Sequence, residues 1–393
     1  MKYVFVDTNN GGTPSNATPD TSTSKYHTSS VWPANGAQWS TIFGALNDAT
    51  VRGLADDLTI FCRGTAADTT RPSDRFTGMS CTSMVIEGEL TSAKWDTSKY
   101  RIEWATAGGY LIDFQTNAYP LTLRGLQIKH STPTTGTTYL VFNGSTSQTL
   151  TIDSCFLWMA SASTTVAHAV MQNTAGGTTT VYNCIVKNTN STAGTGRRCF
   201  HRAAGTLNVY NSIARGAYYG FSGTITAKNC IAYENDDDFT GTPTLTTCAA
   251  DDNDTGVSVV APTWTDQFVD HSNDDYTLKS GGSLIGAGTD DPASGLFSDD
   301  IAGTTRSDWD IGPFEYVAAT GLSITSVTPS SFDDGVSGIV IAGTGFGSSQ
   351  GSSTLTIGGQ AQTVANWSDT SITFTSVRGS NSMGSATLTL TKV

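Results

Sequence analysis

The sequence predicts an all-β protein in two parts, a solenoid of short parallel strands and then a smaller β-sandwich. Three observations carry this. Six segments align on one column at regular spacing. Charged residues are only 14% of the chain, while Gly, Thr, Ser and Asn abound, the composition of a turn-rich β protein. Past residue 321, short alternating strands recur between glycine and serine turns.

The aligned segments are LTLRGLQI (121–128), LTIDSCFL (150–157), TTVYNCIV (179–186), LNVYNSIA (207–214), ITAKNCIA (225–232) and LTTCAA (245–250). Their common column holds Leu126, Cys155, Cys184, Ser212, Cys230 and Cys248, in steps of 29, 29, 28, 18 and 18 residues. A fixed period marks a repeat architecture in which each unit covers the next. Apolar residues alternate within a unit, as at Leu207 and Val209, which is strand periodicity. The last two steps repeat residue for residue: Ile213 with Ile231, Ala214 with Ala232, Phe221 with Phe239, Gly223 with Gly241, Thr224 with Thr242. Eighteen residues span roughly 60 Å of strand contour, one coil of three short strands. The longer steps add about ten residues, in polar stretches such as STPTTGTT (131–138) and NTNSTAGTG (188–196), expected to project as loops.

The column just before holds Gly125, Ser154, Asn183, Asn211, Asn229 and Thr247. Asparagine tolerates the left-handed conformation of a tight turn, and stacked amides bond between rungs. The block G-T-x-x-x-x-N-C/S-I resembles the right-handed parallel β-helix of the pectin-lyase-like superfamily. There such a column is an asparagine ladder with a structural role. The resemblance implies a right-handed parallel β-helix over residues 1–316.

The elements follow in order. QWSTIFGALNDATVRGLADDLTIFCRG (38–64) places Ile42, Ala45, Leu46 and Ala49 on one helical face, an N-terminal cap at about 38–50 over the open edge of the first coil. Strands are expected at Leu58–Phe61, Ser83–Glu87, Tyr100–Trp104 and Tyr110–Phe114, with regular coils to about residue 255. Residues 268–316 resemble the closing segment of a large family of β-helix proteins, through Asp275, Tyr276 and Leu278; Ser283, Ile285, Ala287 and Gly288; Asp300, Ile301, Gly303 and Arg306; and Asp310, Ile311, Gly312 and Glu315. One arginine among several carboxylates predicts a hydrogen-bonded cluster pinning the last coil. After the linker 317–321, residues 322–393 resemble the IPT/TIG immunoglobulin-like domain. The matching residues are Pro329, the strand Ile339–Ala342, Gly343-Thr344-Gly345-Phe346, the strand Leu355–Ile357 with Gly358-Gly359, and Ser368-Asp369-Thr370 before Ile372. That resemblance implies an Ig-like β-sandwich, a module that binds or spaces.

The net charge of −13, with no basic cluster larger than Arg197, Arg198 and Arg202, excludes a phosphate-tracking surface and so nucleic acid as partner. No apolar run is long enough to insert in a membrane, and MKYVFVDTNNGG lacks a signal core. Synthesis and assembly in a host cytoplasm are therefore expected, with an extracellular location as the alternative. Seven cysteines cannot all pair within one chain. Rungs about 4.8 Å apart permit a bridge along the column, but stacked buried thiols are the plainer expectation.

Lyases and hydrolases of acidic polysaccharides occur in the superfamily that the coils resemble. A lyase needs a base and a charge stabiliser, and a hydrolase needs spaced carboxylates. The catalytic candidates are Arg198, His201, Arg215 and Asp237, near Tyr218 and Tyr219. Asp236, Asp238, Asp251, Asp252 and Asp254 are candidate calcium ligands, although they match no complete calcium loop, and no other cofactor is expected. A solvated, charge-bearing turn is the plainer reading of the same residues. His27, His130, His168 and His271 have no neighbouring nucleophile at any motif spacing. The sequence therefore points to a non-enzymatic bacteriophage virion structural protein, a capsid decoration or tail-fibre attachment protein. Its expected partners are other virion proteins, cell-surface glycans and further copies of itself. The alternative is a polysaccharide lyase or glycoside hydrolase of tailspike or pectate-lyase type.

Overall fold

A computed structural model of the chain describes residues 1–9, 25–32, 38–70, 76, 78–90, 94–105, 109–115, 119–131, 136–160, 166–189, 194–317, 322–347, 349–377 and 387–391. The tips of the two polar loops and most of the 317–321 linker lie outside these residues. The chain forms two compact units, Met1–Tyr316 and Val317–Val393.

The first unit winds through three parallel sheets of nine, nine and six strands, the architecture of a parallel β-helix. The first sheet runs from Lys2–Asp7 through Leu58–Arg63, Met84–Glu87, Leu121–Arg124, Thr149–Asp153, Thr178–Tyr182 and Thr206–Tyr210 to Thr226–Lys228 and Thr244–Thr246. A tight turn leads from each of its later strands to the second sheet, which ends at Val257–Val260. The register follows the sequence period. Phe156 pairs with Ile185, Ile185 with Ile213, and Ile213 with Ile231. In the third sheet Phe200, Phe221 and Phe239 stack inward with centroids 4.8 Å apart at each step. Gly223, at φ 104°, permits the next corner, because a Cβ there would lie 2.3 Å from the Arg202 carbonyl.

The turn column adopts the left-handed backbone throughout: Gly125, Ser154, Asn183, Asn211, Asn229 and Thr247 have φ between 42° and 58°. The next column is buried, and from Cys155 onward its thiol or hydroxyl closes the turn by donating to the carbonyl two residues earlier. Ser212 Oγ donates to the Tyr210 carbonyl at 2.7 Å and accepts the Cys184 N–H at 3.1 Å. Cys184 Sγ does the same towards Tyr182 O and Cys155 N, at 3.1 and 3.4 Å. This shared geometry lets serine replace cysteine on the column. All seven cysteines are buried and unbridged.

The amides of that turn do less rung-to-rung bonding than the sequence suggests. Two contacts of that kind are present among the described residues, Asn229 Nδ2 to Asn211 Oδ1 at 3.3 Å and Thr247 Oγ1 to Asn229 Oδ1 at 2.5 Å. The amides instead hold the closing segment, which runs along the outside of the turns. Asn183 Nδ2 donates to Asp299 O, Asn211 Nδ2 to Asp310 O and Gly312 O, and Asn229 Nδ2 to Thr289 O, at 2.7 to 3.1 Å. Leu284, Ile301, Ile311 and Phe314 cover the outward face of the second sheet, where Phe156, Ile185, Ile213 and Ile231 form a second apolar cluster. The segment therefore clasps several successive coils, where the sequence predicts a cluster pinning the last coil.

Arg306 is buried at the centre of this clasp. Its Nη2 donates to Asn183 Oδ1 at 2.9 Å and Gly312 O at 3.2 Å, and its Nη1 lies 3.6 Å from Glu315 Oε2, ion-pair range without a hydrogen bond. Asp300 accepts the backbone N–H groups of Ala302, Thr304 and Glu315. Asp310 accepts those of Gly286 and Tyr316, while its burial pushes its carboxyl up to about 6.

At the other end, the expected cap helix is two helices, Ile42–Asn47 and Ala49–Arg52. Asp48 ends the first and caps the second, accepting the N–H groups of Thr50 and Val51. Ala49 is consequently exposed, and Val51 takes the buried place expected of it.

The second unit is an antiparallel sandwich. One sheet contains Ser323–Thr328, Ile339–Thr344, Ser371–Thr375 and Thr363–Trp367, and the other Gln360–Ala361, Thr354–Ile357 and Leu388–Thr391. Ile339, Ile341, Phe346, Leu355, Ile372, Phe374 and Leu390 form its core. No helix among the described residues is long and apolar enough to cross a membrane.

Candidate functional site

The third sheet, of Gly109–Phe114, Thr137–Asn143, Val166–Gln172, Arg197–Arg202, Tyr219–Ser222 and Asp237–Thr240, carries three of the four catalytic candidates, Arg198, His201 and Asp237. Its strands do not alternate strictly. Two consecutive inward residues, such as Leu140-Val141 and Cys199-Phe200, place the outward residues three apart. One outward column is Tyr110, Tyr139, His168, Arg198, Tyr219 and Asp237. Its neighbour is Asp113, Phe142, Met171, His201, Ser222 and Thr240.

The side chains interlock along the sheet. Tyr110 and Tyr139 stack in parallel at 5.1 Å, His168 meets Tyr139 edge-on at 5.2 Å, and His201 meets His168 at 4.8 Å. Arg198 Nη1 donates to His168 Nε2 at 2.8 Å, which places the ring proton on His168 Nδ1, a buried atom with no hydrogen-bond partner. Arg198 also reaches Ser222 Oγ at 3.3 Å and lies over the Tyr219 ring at 5.2 Å. The His201 Nδ1–H donates to the Ser222 carbonyl at 3.2 Å and leaves Nε2 as a lone-pair acceptor.

Burial, the His201 ring and the Arg198 charge hold His168 well below the usual imidazole range. Burial, then Arg198, brings His201 down to about 4. Both rings are neutral near pH 7, beside a half-buried guanidinium that forms no ion pair among the described residues.

A pH dependence follows. Between pH 4 and the ordinary histidine value of 6.5, the unfolded chain binds a proton that folded His201 refuses, so this ring's contribution to stability falls as pH falls through that window. His201→Gln removes the penalty. Thermal unfolding followed by circular dichroism should show the variant gaining on the wild type between about pH 7 and about pH 4.5. A pH-independent difference would contradict the neutral-ring assignment.

Arg215 does not join this face. It lies on the second sheet under the closing segment, bonded to Glu234 Oε2 at 2.7 Å, His271 O at 2.5 Å and Tyr276 Oη at 3.0 Å, with Asp274 at 3.3 Å. Asp237 stands at the end of the tyrosine column, beside Tyr219 in register. Among the calcium candidates, Asp238, Asp251 and Asp252 are tied to one another through carboxylate-to-backbone hydrogen bonds. Asp236 pairs with Arg197 at 2.9 Å, and Asp251 accepts from Glu234 N and Trp264 Nε1. Asp252 accepts the Asp238 N–H at 3.2 Å. Asp238 is buried, accepts from Asn235, Asp251 and Asp252, and is pushed up to about 6 by burial. Burial and the neighbouring Asp237 and Asp252 also raise Asp254. Among the described residues no three His, Cys, Asp or Glu gather as a metal site.

Sequence reasoning missed Tyr110, Tyr139, Phe142 and the role of His168. The signal was present: positions 110, 139 and 168 are spaced by the same 29 residues as Leu126, Cys155 and Cys184.

Residues 322–392 match the IPT/TIG domain family. The second unit is an Ig-like domain of the IPT/TIG type. In its motif Gly343-Thr344-Gly345-Phe346 the strand ends at Thr344, Gly345 takes φ 73° and Phe346 enters the core, while a Cβ at Gly343 would lie 1.9 Å from the Ser323 carbonyl. Trp367 Nε1 then donates to the Phe346 carbonyl at 3.1 Å. No curated protein and no solved structure matches the chain.

Proposed function

We propose that this chain is a non-enzymatic surface protein of a bacteriophage particle, a β-helical shaft with an IPT/TIG module, and that its third sheet recognises a cell-surface glycan. The observation that carries the glycan reading is the outward column Tyr110, Tyr139, His168, Arg198 and Tyr219. Its aromatic faces and guanidinium sit on a sheet with a regular rung spacing. The partly exposed tyrosine rings offer apolar edges to sugar C–H groups, and flanking polar heads take hydroxyls. The particle reading rests on the pairing of a rigid solenoid with an Ig-like spacer, an arrangement suited to capsid decoration or tail attachment.

One observation favours a second reading as a polysaccharide lyase. His201 is neutral, keeps Nε2 free to take a proton, and stands beside the Arg198 guanidinium. A single experiment separates the two. The chain is incubated with acidic and neutral bacterial polysaccharides, and both retention on the polymer and release of reducing ends or unsaturated uronate are measured. Retention without product, lost in Tyr139→Ala, supports the binding protein. Product formation lost in His201→Gln replaces it with the lyase, and neither retention nor product removes the glycan role. For the particle role, peptides of this chain in gradient-purified virions are the expected result, and their absence overturns it.

A further inference from the structure

We propose a second, separate binding site on the first unit, a cleft that takes an uncharged saccharide. The cleft, of about 420 Å³, lies between the ends of the first-sheet strands and residues 296–303 of the closing segment. That is within the range of small-ligand sites, which start at about 300 Å³. It is remote in register from the tyrosine column, which belongs to the third sheet.

One wall is a ladder of side chains at the same position on four successive rungs: Glu87, Arg124, Asp153 and Tyr182. Arg124 Nε donates to Asp153 Oδ2 at 2.7 Å, and its Nη1 stands 3.6 Å from Glu87 Oε2. The guanidinium N–H groups that do not face Asp153, Glu87 or Tyr182 remain uncommitted, on a side chain 47% exposed at the cleft. The opposite wall is fixed before any ligand arrives. Phe297 stacks on Tyr182 at 4.7 Å with the planes within 2°, Asn183 Nδ2 holds Asp299 O at 2.7 Å, and the Asp300 carboxylate gathers the N–H groups of Ala302 and Thr304.

The chemistry of the lining selects the ligand. Acceptor, donor and acceptor alternate along the rungs about 4.8 Å apart, a spacing across which a pyranose ring presents hydroxyls that both donate and accept. Glu87, Asp153 and Asp299 disfavour an anion. The central Arg124 disfavours a cation, and among the described residues no metal-binding group of three forms. An uncharged polyol offers donors to the carboxylates and acceptors to the guanidinium and brings no charge of its own that would need a partner.

Isothermal titration of the full chain with maltose, cellobiose and lactose tests this, with galacturonate and glucosamine as charged controls. At least one neutral disaccharide should bind, more tightly than either charged sugar. Arg124→Ala should weaken that binding at least about tenfold, and Thr224→Ala, an exposed change outside both the cleft and the tyrosine column, should leave it unchanged. Glu87→Gln, which keeps the shape of the ladder, should also weaken it and decides the matter if Arg124→Ala lowers the melting temperature. Absence of binding by every neutral disaccharide, preference for a charged sugar, wild-type affinity in Arg124→Ala or Glu87→Gln, or loss of binding in Thr224→Ala each overturns the proposal.

Discussion

Arg306→Ala should destabilise the β-helix unit by about 3–5 kcal/mol, the usual cost of removing one member of a buried ion pair. Three things are lost together. Glu315, 9% exposed, keeps a buried charge without its cation. The Asn183 amide loses the donor that holds its oxygen, and the Gly312 carbonyl loses one of its partners. The arginine is already held against the cost of burial, which brings its guanidinium down to about 10. At roughly 2 °C per kcal/mol for a unit of this size, the melting temperature should fall by about 6–10 °C. Limited proteolysis should find new cleavage between residues 284 and 316 before the coils themselves are cut, because the clasp is held by side-chain contacts and the coils by their sheets. Wild-type melting and an unchanged digest would show that the clasp does not depend on the arginine.

Phe221→Ala should be as costly for a different reason. Phe221 is fully buried between Phe200 and Phe239 at 4.8 Å on either side, so its removal opens a cavity bounded by rigid neighbours on two rungs. Phenylalanine-to-alanine changes in such cores cost about 3–5 kcal/mol. Phe221→Leu should recover more than half of this, because a smaller void remains. Denaturant titration of both variants checks the order. Equal stability of the two would mean that the adjoining coils close over the gap.

How much of this was legible in the sequence depended on whether the cause was local. The turn column was readable because a left-handed residue needs Asn, Gly or a small polar side chain at that position itself. The eighteen-residue register was readable for the same reason, since each coil repeats its own pattern. What the asparagine amides bind was not readable. Their partners Asp299, Asp310 and Thr289 lie 116, 99 and 60 residues away, and only the folded chain brings them alongside. Arg215 was placed with Arg198 because both are basic and near in sequence, yet successive strands of one coil face different directions. The tyrosine column keeps the 29-residue period from Tyr110 to His168 but was hidden by the pattern within each strand. Paired inward residues break the alternation on which a strand is recognised, so outward residues three apart do not read as one face. The Glu87–Arg124–Asp153 ladder needed the pairing of strands separated by unequal loops.

The buried thiols give this solenoid a built-in clock for its own opening. They are distributed along the axis, from Cys62 and Cys81 in the first coils to Cys230 and Cys248 in the last, and each is closed off from solvent by the rungs around it. A thiol reacts as thiolate and only when reached, and burial holds Cys62 and Cys184 far above the ordinary value for the group. Alkylation of each position therefore waits for its own coil to separate from the next. The order in which the seven sulfurs are modified under mild denaturant will trace which end of the stack frays first, without a single introduced probe.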